Sequence, residues 1–285
     1  MTKREFLAGA CAAGLALTAP SFAQNGKGKA RKAKTTKLFK SPRGFPNGLA
    51  ATPEGLWIAE QKLTGAQAKS YGLPEPKSLE EACWLVDWNG KLKKTVMTPS
   101  RNTSGMAVGG GYVWMVANAP PQGVFQVDMN SKLVTHRQIP LGGKDGGGSH
   151  GATWQDGKLW ISSLRLRGNI RVDPKTWEPE FMIPFYQQFP DRVRYHDIVI
   201  EGDTMWQVVG NNSRNYKEGK PGLVRYDLAT GRMVETVDFV DGSSDPHGLT
   251  MHDGKLIACD AGIHPGWPNY DSPTAGWIFQ IDFVG

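Results

Sequence analysis

The chain has 285 residues, 39% of them hydrophobic, with 35 glycines and 19 prolines, a soluble composition sufficient for one large domain or two small ones. Of its formal net charge of +6, the first 23 residues carry one charge and "NGKGKARKAK" carries five, so everything from Thr35 onward is neutral. That balance gives no ground for nucleic-acid binding, and no apolar run beyond the N-terminus is long enough to span a membrane.

Residues 1–23 read as an export signal: Lys3 and Arg4, the apolar run "FLAGACAAGLALTA", then small residues around Ser21 and Ala23. "TKREFLA" is similar to a twin-arginine motif with Lys3 in place of the first arginine, so both the folded and the unfolded export routes stay open. Cys11 lacks a leucine three residues before it, which argues against a lipid anchor. The mature protein is then expected in the periplasm or outside the cell, free of the membrane and monomeric. Residues 24–34 read as a basic flexible linker, and 35–285 as one domain. Cys83 and Cys259 remain after processing, enough for one disulfide in an oxidising compartment.

From residue 47 a fourteen-residue pattern recurs without gaps: "NGLAATPEGLWIAE", "SGMAVGGGYVWMVA", "HGATWQDGKLWISS", "HDIVIEGDTMWQVV" and "HGLTMHDGKLIACD". Position 11 holds Trp57, Trp114, Trp160, Trp206 and Ile257, read as core. Each copy is two β-prone segments around a Gly- or Asp-rich turn. A second strand–turn–strand pattern follows each copy, with Asp87, Asp128, Asp173, Asp227 and Asp282 at its turn. Four strands per repeat, at spacings of 57, 46, 46 and 51 residues, predict an all-β, five-bladed β-propeller of four-stranded antiparallel blades. The last repeat stops after three strands, and residues 36–42, "TKLFKSP", are expected to supply the fourth and close the ring.

In such a meander the short turns share one face and the long loops the other, which is where sites are built. Position 1 of each copy, at the long-loop mouth beside the axis, brings together Asn47, Ser104, His150, His196 and His247, with Glu60 and Asp260 close by. Ser104 and Asn47 show that the scaffold does not require histidine there. Three converging imidazoles can hold a divalent metal ion through His150, His196 and His247, or one can accept a proton directly. His196, His247, Tyr195 and Glu60 are the candidate catalytic groups. Arg165, Arg167, Arg192, Arg194, Arg214 and Tyr216 are the candidate binders of an acidic small molecule, because guanidinium grips carboxylate in two places. His264 lies on a mouth loop, His252 on the opposite face, and His136 on an outer strand.

Repeats of the form "HGxTxxDGKLW" followed by "IxxVDPKT" resemble, over residues 36–285, secreted bacterial propellers of the virginiamycin B lyase (streptogramin lyase), gluconolactonase and NHL-like group. The resemblance implies metal-assisted elimination with a histidine acting at the mouth, for which His196 or His247 is the match. It departs in blade number, five against that lyase's seven, and in lacking its acidic metal-binding pattern. Plant-type glutaminyl cyclases are five-bladed and exported as well, but their characteristic motifs are absent here. Two functions follow: an exported metal-assisted lyase or hydrolase acting on a carboxylate-bearing molecule or sugar acid, or a propeller that binds a ligand or protein without catalysis.

Overall fold

The structure, a computed structural model, describes residues 28–42, 45–62, 69, 77–143, 146–186, 194–210, 221–260 and 276–285. Its elements are strands. Three sheets are four-stranded meanders: β2 (Phe45–Thr52), β3 (Gly55–Gln61), β4 (Glu81–Val86) and β5 (Leu92–Thr98); β6 (Thr103–Gly109), β7 (Tyr112–Ala117), β8 (Gly123–Asp128) and β9 (Leu133–Arg137); β10 (Ser149–Gln155), β11 (Lys158–Ser163), β12 (Gly168–Val172) and β13 (Pro179–Pro184). The fourth sheet has eight strands. It joins the meander β14 (Arg194–Glu201), β15 (Thr204–Gly210), β16 (Gly222–Asp227) and β17 (Met233–Phe239) to β18 (Gly248–His252), β19 (Lys255–Cys259) and β20 (Trp277–Val284) through the N-terminal β1 (Lys29–Lys40).

β1 runs antiparallel to β20, from Lys32 opposite Val284 to Lys40 opposite Trp277, and its first half also runs parallel to β17. The strand thus begins at Lys29, inside the segment expected to be a linker. Ala33 is buried, Arg31 bonds Glu235 at 3.1 Å, and its guanidinium lies 3.7 Å from the centre of the Phe283 ring. A basic stretch is retained in the sheet because acidic and aromatic partners await it on β17 and β20.

The turns explain the repeated aspartate. The Asp87 carboxylate accepts the N–H groups of Asn89 and Lys91, both at 2.9 Å, and Asp128 those of Asn130 and Lys132 at 2.8 and 2.9 Å. Asp173 and Asp227 hold their own turns in the same way; turn N–H groups lower the carboxyls of Asp87 and Asp128, the Lys158 ammonium first and then turn N–H groups that of Asp173, and the Thr230 hydroxyl and N–H that of Asp227. Asp282 differs. It lies opposite Lys34 in the β1–β20 ladder and accepts the Thr36 hydroxyl at 2.7 Å, so it serves strand pairing and not a turn.

The repeated tryptophans are core, as expected. Trp57, Trp114, Trp160 and Trp206 are at most 3% exposed. Each lies in an apolar cluster shared by two successive meanders, and the cluster of Ile257 joins β18–β20 to β2–β4. Cys83 and Cys259 are buried in different clusters as free thiols.

The first strands of the repeats touch in the cyclic order β2, β6, β10, β14, β18 and back to β2. Position 2 of the repeat sets how closely they approach. A Cβ on Gly48 would fall 2.7 Å from the Gly105 Cα, one on Gly105 2.4 Å from the Gly151 Cα, and one on Gly248 2.9 Å from the Gly48 Cα. Only glycine allows backbones this close. The fourth copy alone breaks the rule, with Asp197, and a Cβ on Gly151 would fall 2.6 Å from its Cα.

Asp197 is fully buried. One carboxylate oxygen accepts the N–H groups of Ala152 at 3.0 Å and Ile198 at 3.1 Å, the other those of Leu249 at 3.1 Å and Leu49 at 3.3 Å. Its own N–H bonds the His247 carbonyl at 3.3 Å. A single side chain therefore ties together four of the five inner strands. Burial pushes the carboxyl well above its usual range, and the four amides pull it back only in part.

Candidate active site

Position 1 lies one residue ahead of this glycine ring. His150, His196 and His247 form a column there: the rings of His150 and His196 are stacked with centres 5.0 Å apart and planes 3° from parallel, and His247 lies 4.4 Å from His196, tilted by 48°. The sequence-predicted cluster is thus brought together across three repeats.

The ends of the column are chemically different. His150 faces the Tyr195 carbonyl with Nδ1 at 3.2 Å and the Asn118 side-chain amide with Nε2 at 2.6 Å. A carbonyl only accepts, so Nδ1 carries the hydrogen and the Nε2 lone pair takes the Asn118 N–H. The protein around the ring, then the charges of His247 and Arg194, push its pKa down to about 4, so it is neutral at physiological pH. At the other end, His247 Nε2 lies 3.2 Å from Asp245 Oδ2, both residues being buried. The carboxylate makes Nε2 the donor and leaves the lone pair of the neutral ring on Nδ1. That arrangement of a carboxylate orienting an imidazole suits a proton acceptor. Asp245 escaped sequence reasoning, although "DPH" places it two residues before His247 on a short loop.

The side of the mouth formed by the first two repeats is built of amides. Asn47 Nδ2 donates to Gln61 Oε1 at 2.8 Å, Gln61 Nε2 donates to Asn102 Oδ1, and the Ser104 hydroxyl donates to the Asn102 carbonyl at 3.3 Å. Among the described residues, nothing bonds the buried Oδ1 of Asn47. Glu60, a candidate proton carrier, accepts the Ala82 N–H at 2.9 Å and lies 3.7 Å from the Lys62 ammonium. It sits beside Glu81, whose carboxyl is pushed up to about 8, first by burial and further by the Glu60 charge. Glu81 accepts the N–H groups of Lys62 and Thr103 at 2.8 and 3.0 Å and so clamps the first repeat to the second.

Tyr195 is corrected. Strand alternation turns it away from Arg194 and His196 into the apolar cluster of Phe185, Tyr186 and Ile198, where its hydroxyl donates to the Tyr186 carbonyl. Burial raises that hydroxyl to about 12, so it serves packing and not proton transfer at the mouth. Arg194 stays on the column side, near enough that its charge acts on His150. Arg165 donates to the Gly142 carbonyl at 2.9 Å, and Arg165 and Arg167 are exposed in the β11–β12 loop. Arg192, Arg214, Tyr216 and His264 lie outside the described residues. His252 stacks on Trp88, with ring centres 3.5 Å apart, at the opposite end of the strands, and His136 packs on Phe125 on an outer strand.

The donor set bears on the expected metal ion. Lone pairs lie in the plane of an imidazole, and those of two stacked, parallel rings do not meet at one point. The His150 lone pair is moreover engaged by Asn118. The column in this arrangement does not fit a common cation, and among the described residues no group of three His, Cys, Asp or Glu side chains does so.

No protein-family model and no curated protein matches the chain. Solved structures do. Glutaminyl cyclase from Myxococcus xanthus is similar with a TM-score of 0.55 at 11% identity, over 90% of this chain and 100% of that one. A luciferin-regenerating enzyme is similar with a TM-score of 0.50 at 12% identity, over 89% and 96%. Virginiamycin B lyase from Staphylococcus aureus reaches 0.44 at 15% identity, over 82% and 65%. At these identities the likeness shows the fold alone: the chain is an all-β, β-propeller-like protein.

Proposed function

We propose that the protein is an exported five-bladed β-propeller enzyme, its ring closed by β1, that moves protons at the mouth of the channel with the Asp245–His247–His196 column. One observation carries this reading: a buried carboxylate lies 3.2 Å from a nitrogen of an imidazole whose ring centre is 4.4 Å from that of a second imidazole. His247 takes a proton from the substrate in an elimination, or from the attacking water in a hydrolysis, Asp245 stabilises the imidazolium formed, and His196 delivers a proton to the departing group. His150, neutral and hydrogen-bonded on both nitrogens, spares the column a further positive charge. Arg165, Arg167 and Arg194 draw in a carboxylate-bearing substrate, and the reaction is an elimination or a hydrolysis. Glutaminyl cyclase and the luciferin-regenerating enzyme support the enzymatic reading, since both their names denote catalysts on a similar fold.

The test is a panel of carboxylate-bearing esters, amides and eliminable acids. Asp245→Asn should lower kcat on the substrate found by about 10²-fold or more, with unchanged unfolding, as expected for loss of a proton-transfer partner. Equal rates in parent and variant would sink the proposal. Binding without turnover would favour the non-catalytic propeller. A metal-assisted form requires Asn118 to release His150. Prolonged chelation should therefore leave the rate within about two-fold of the untreated enzyme; loss restored by zinc or manganese would return the reaction to a metal.

A further inference from the structure

Deepening the reading of His247 as base, we infer that the substrate carries a primary ammonium group and that Asn47 receives it. Asn47 is 3% exposed. Its amide nitrogen is committed to Gln61, and its Oδ1 is a buried acceptor that nothing in the described residues supplies with a donor. An acceptor in that condition costs free energy unless a ligand or water completes it. The residue occupies position 1, the place that His150, His196 and His247 hold in their own repeats, and so belongs to the same mouth.

Its neighbours choose the sign of the ligand. Gly248 and Gly48 approach so closely that a Cβ on the first would fall 2.9 Å from the Cα of the second, which sets His247 beside Asn47. Asp245 accompanies His247. Pro46 precedes Asn47 on β2. A Cβ on Gly276 would strike the Asp260 carbonyl and lie 3.1 Å from the Pro46 ring, so Asp260 adjoins the same turn of chain. Asp245 and Asp260 are each at most 6% exposed. An acceptor oxygen beside the chain segments that carry Asp245 and Asp260 is complementary to an ammonium, whose N–H groups find oxygen acceptors and whose charge is balanced. With Arg165, Arg167 and Arg194 on the third and fourth repeats, the mouth has an acidic side and a basic side. That polarity suits a zwitterion such as an amino acid or a peptide end, its amine at Asn47 and its carboxylate at the arginines.

The test uses methylammonium and tetramethylammonium, equal in charge, only the first bearing N–H donors. Titrated into the full-length folded protein, methylammonium should shift the His247 ring resonances saturably in heteronuclear NMR, and tetramethylammonium should not. Asn47→Leu should weaken the methylammonium response about 10-fold or more, the loss of one hydrogen bond to a charged group. Asn47→Asp, which keeps an acceptor, should preserve or tighten it. Equal response to the two cations, or an unchanged response in a folded Asn47→Leu protein, overturns the assignment. Because the readout is binding, it can fail while Asp245→Asn still abolishes turnover, and hold while that variant remains active, so the two readings fall separately.

Discussion

Asp197→Ala is expected to unfold the protein well below the denaturant concentration that the parent withstands. The substitution leaves four inward-facing N–H groups, those of Leu49, Ala152, Ile198 and Leu249, without their acceptor. A buried donor deprived of its partner costs about 1–3 kcal/mol. The sum is then on the order of 5 kcal/mol, a large share of the roughly 5–15 kcal/mol that holds a domain folded. Asp197→Gly makes the test sharper, because glycine is what the other four copies carry at this position. Judged by the repeat it should be harmless; judged by the hydrogen bonds it should cost as much as alanine. Asp197→Asn, keeping one oxygen, should lose about half as much. Asp203→Ala, at an exposed turn on the far face, is the control and should stay within about 0.5 kcal/mol of the parent. Urea midpoints of the four variants decide, and an Asp197→Gly protein as stable as the parent would remove the axial tie from the account.

The second large effect concerns β1. A chain beginning at Ser41 lacks the only strand that pairs with both β17 and β20 among the described residues. Two β edges are then opened, and the Phe39 ring is withdrawn from the Gly90 turn it covers. Loss of cooperative unfolding, with aggregation through the open edges, is the expected outcome. Adding a peptide of residues 28–41 in trans should restore a single transition. A chain beginning at Thr35 should fall between this and one beginning at Gly28, because it loses buried Ala33 and the Arg31–Glu235 pair but keeps most of the ladder with β20. Size-exclusion chromatography and thermal melts of the three chains give the comparison. A monomeric Ser41 chain melting like the Gly28 chain would contradict closure by this strand.

Much of the architecture was legible because it is repetitive and local. The Gly- and Asp-rich turns, the alternation of apolar residues and the tryptophan at position 11 act within a dozen residues of one another, and each recurs, so the repeat reads them several times over. The column of His150, His196 and His247 was legible for the same reason, since equal positions in equal repeats fall at equal places around an axis. The basic segment misled. Charge and glycine before Lys34 resemble a linker, whereas the partners that turn Lys29–Lys34 into a strand lie some two hundred residues away on β17 and β20. Tyr195 misled as well, because adjacency to His196 in sequence means opposite faces in a strand.

What the sequence by itself determined was the period, the strands and the set of residues at each position of the period. Tertiary structure alone decided what the exceptions do. Asp197, the one departure from glycine at position 2, acquires its role only when four strands from distant repeats point their N–H groups at one carboxylate. Asp245 orients His247, Asn118 occupies His150, and no described residue gives a donor to the Asn47 Oδ1, because side-chain hydrogen bonds depend on directions and distances that spacing along the chain does not encode. A repeat carries the average of its copies, and the side-chain contacts at position 1 reside in the differences between them.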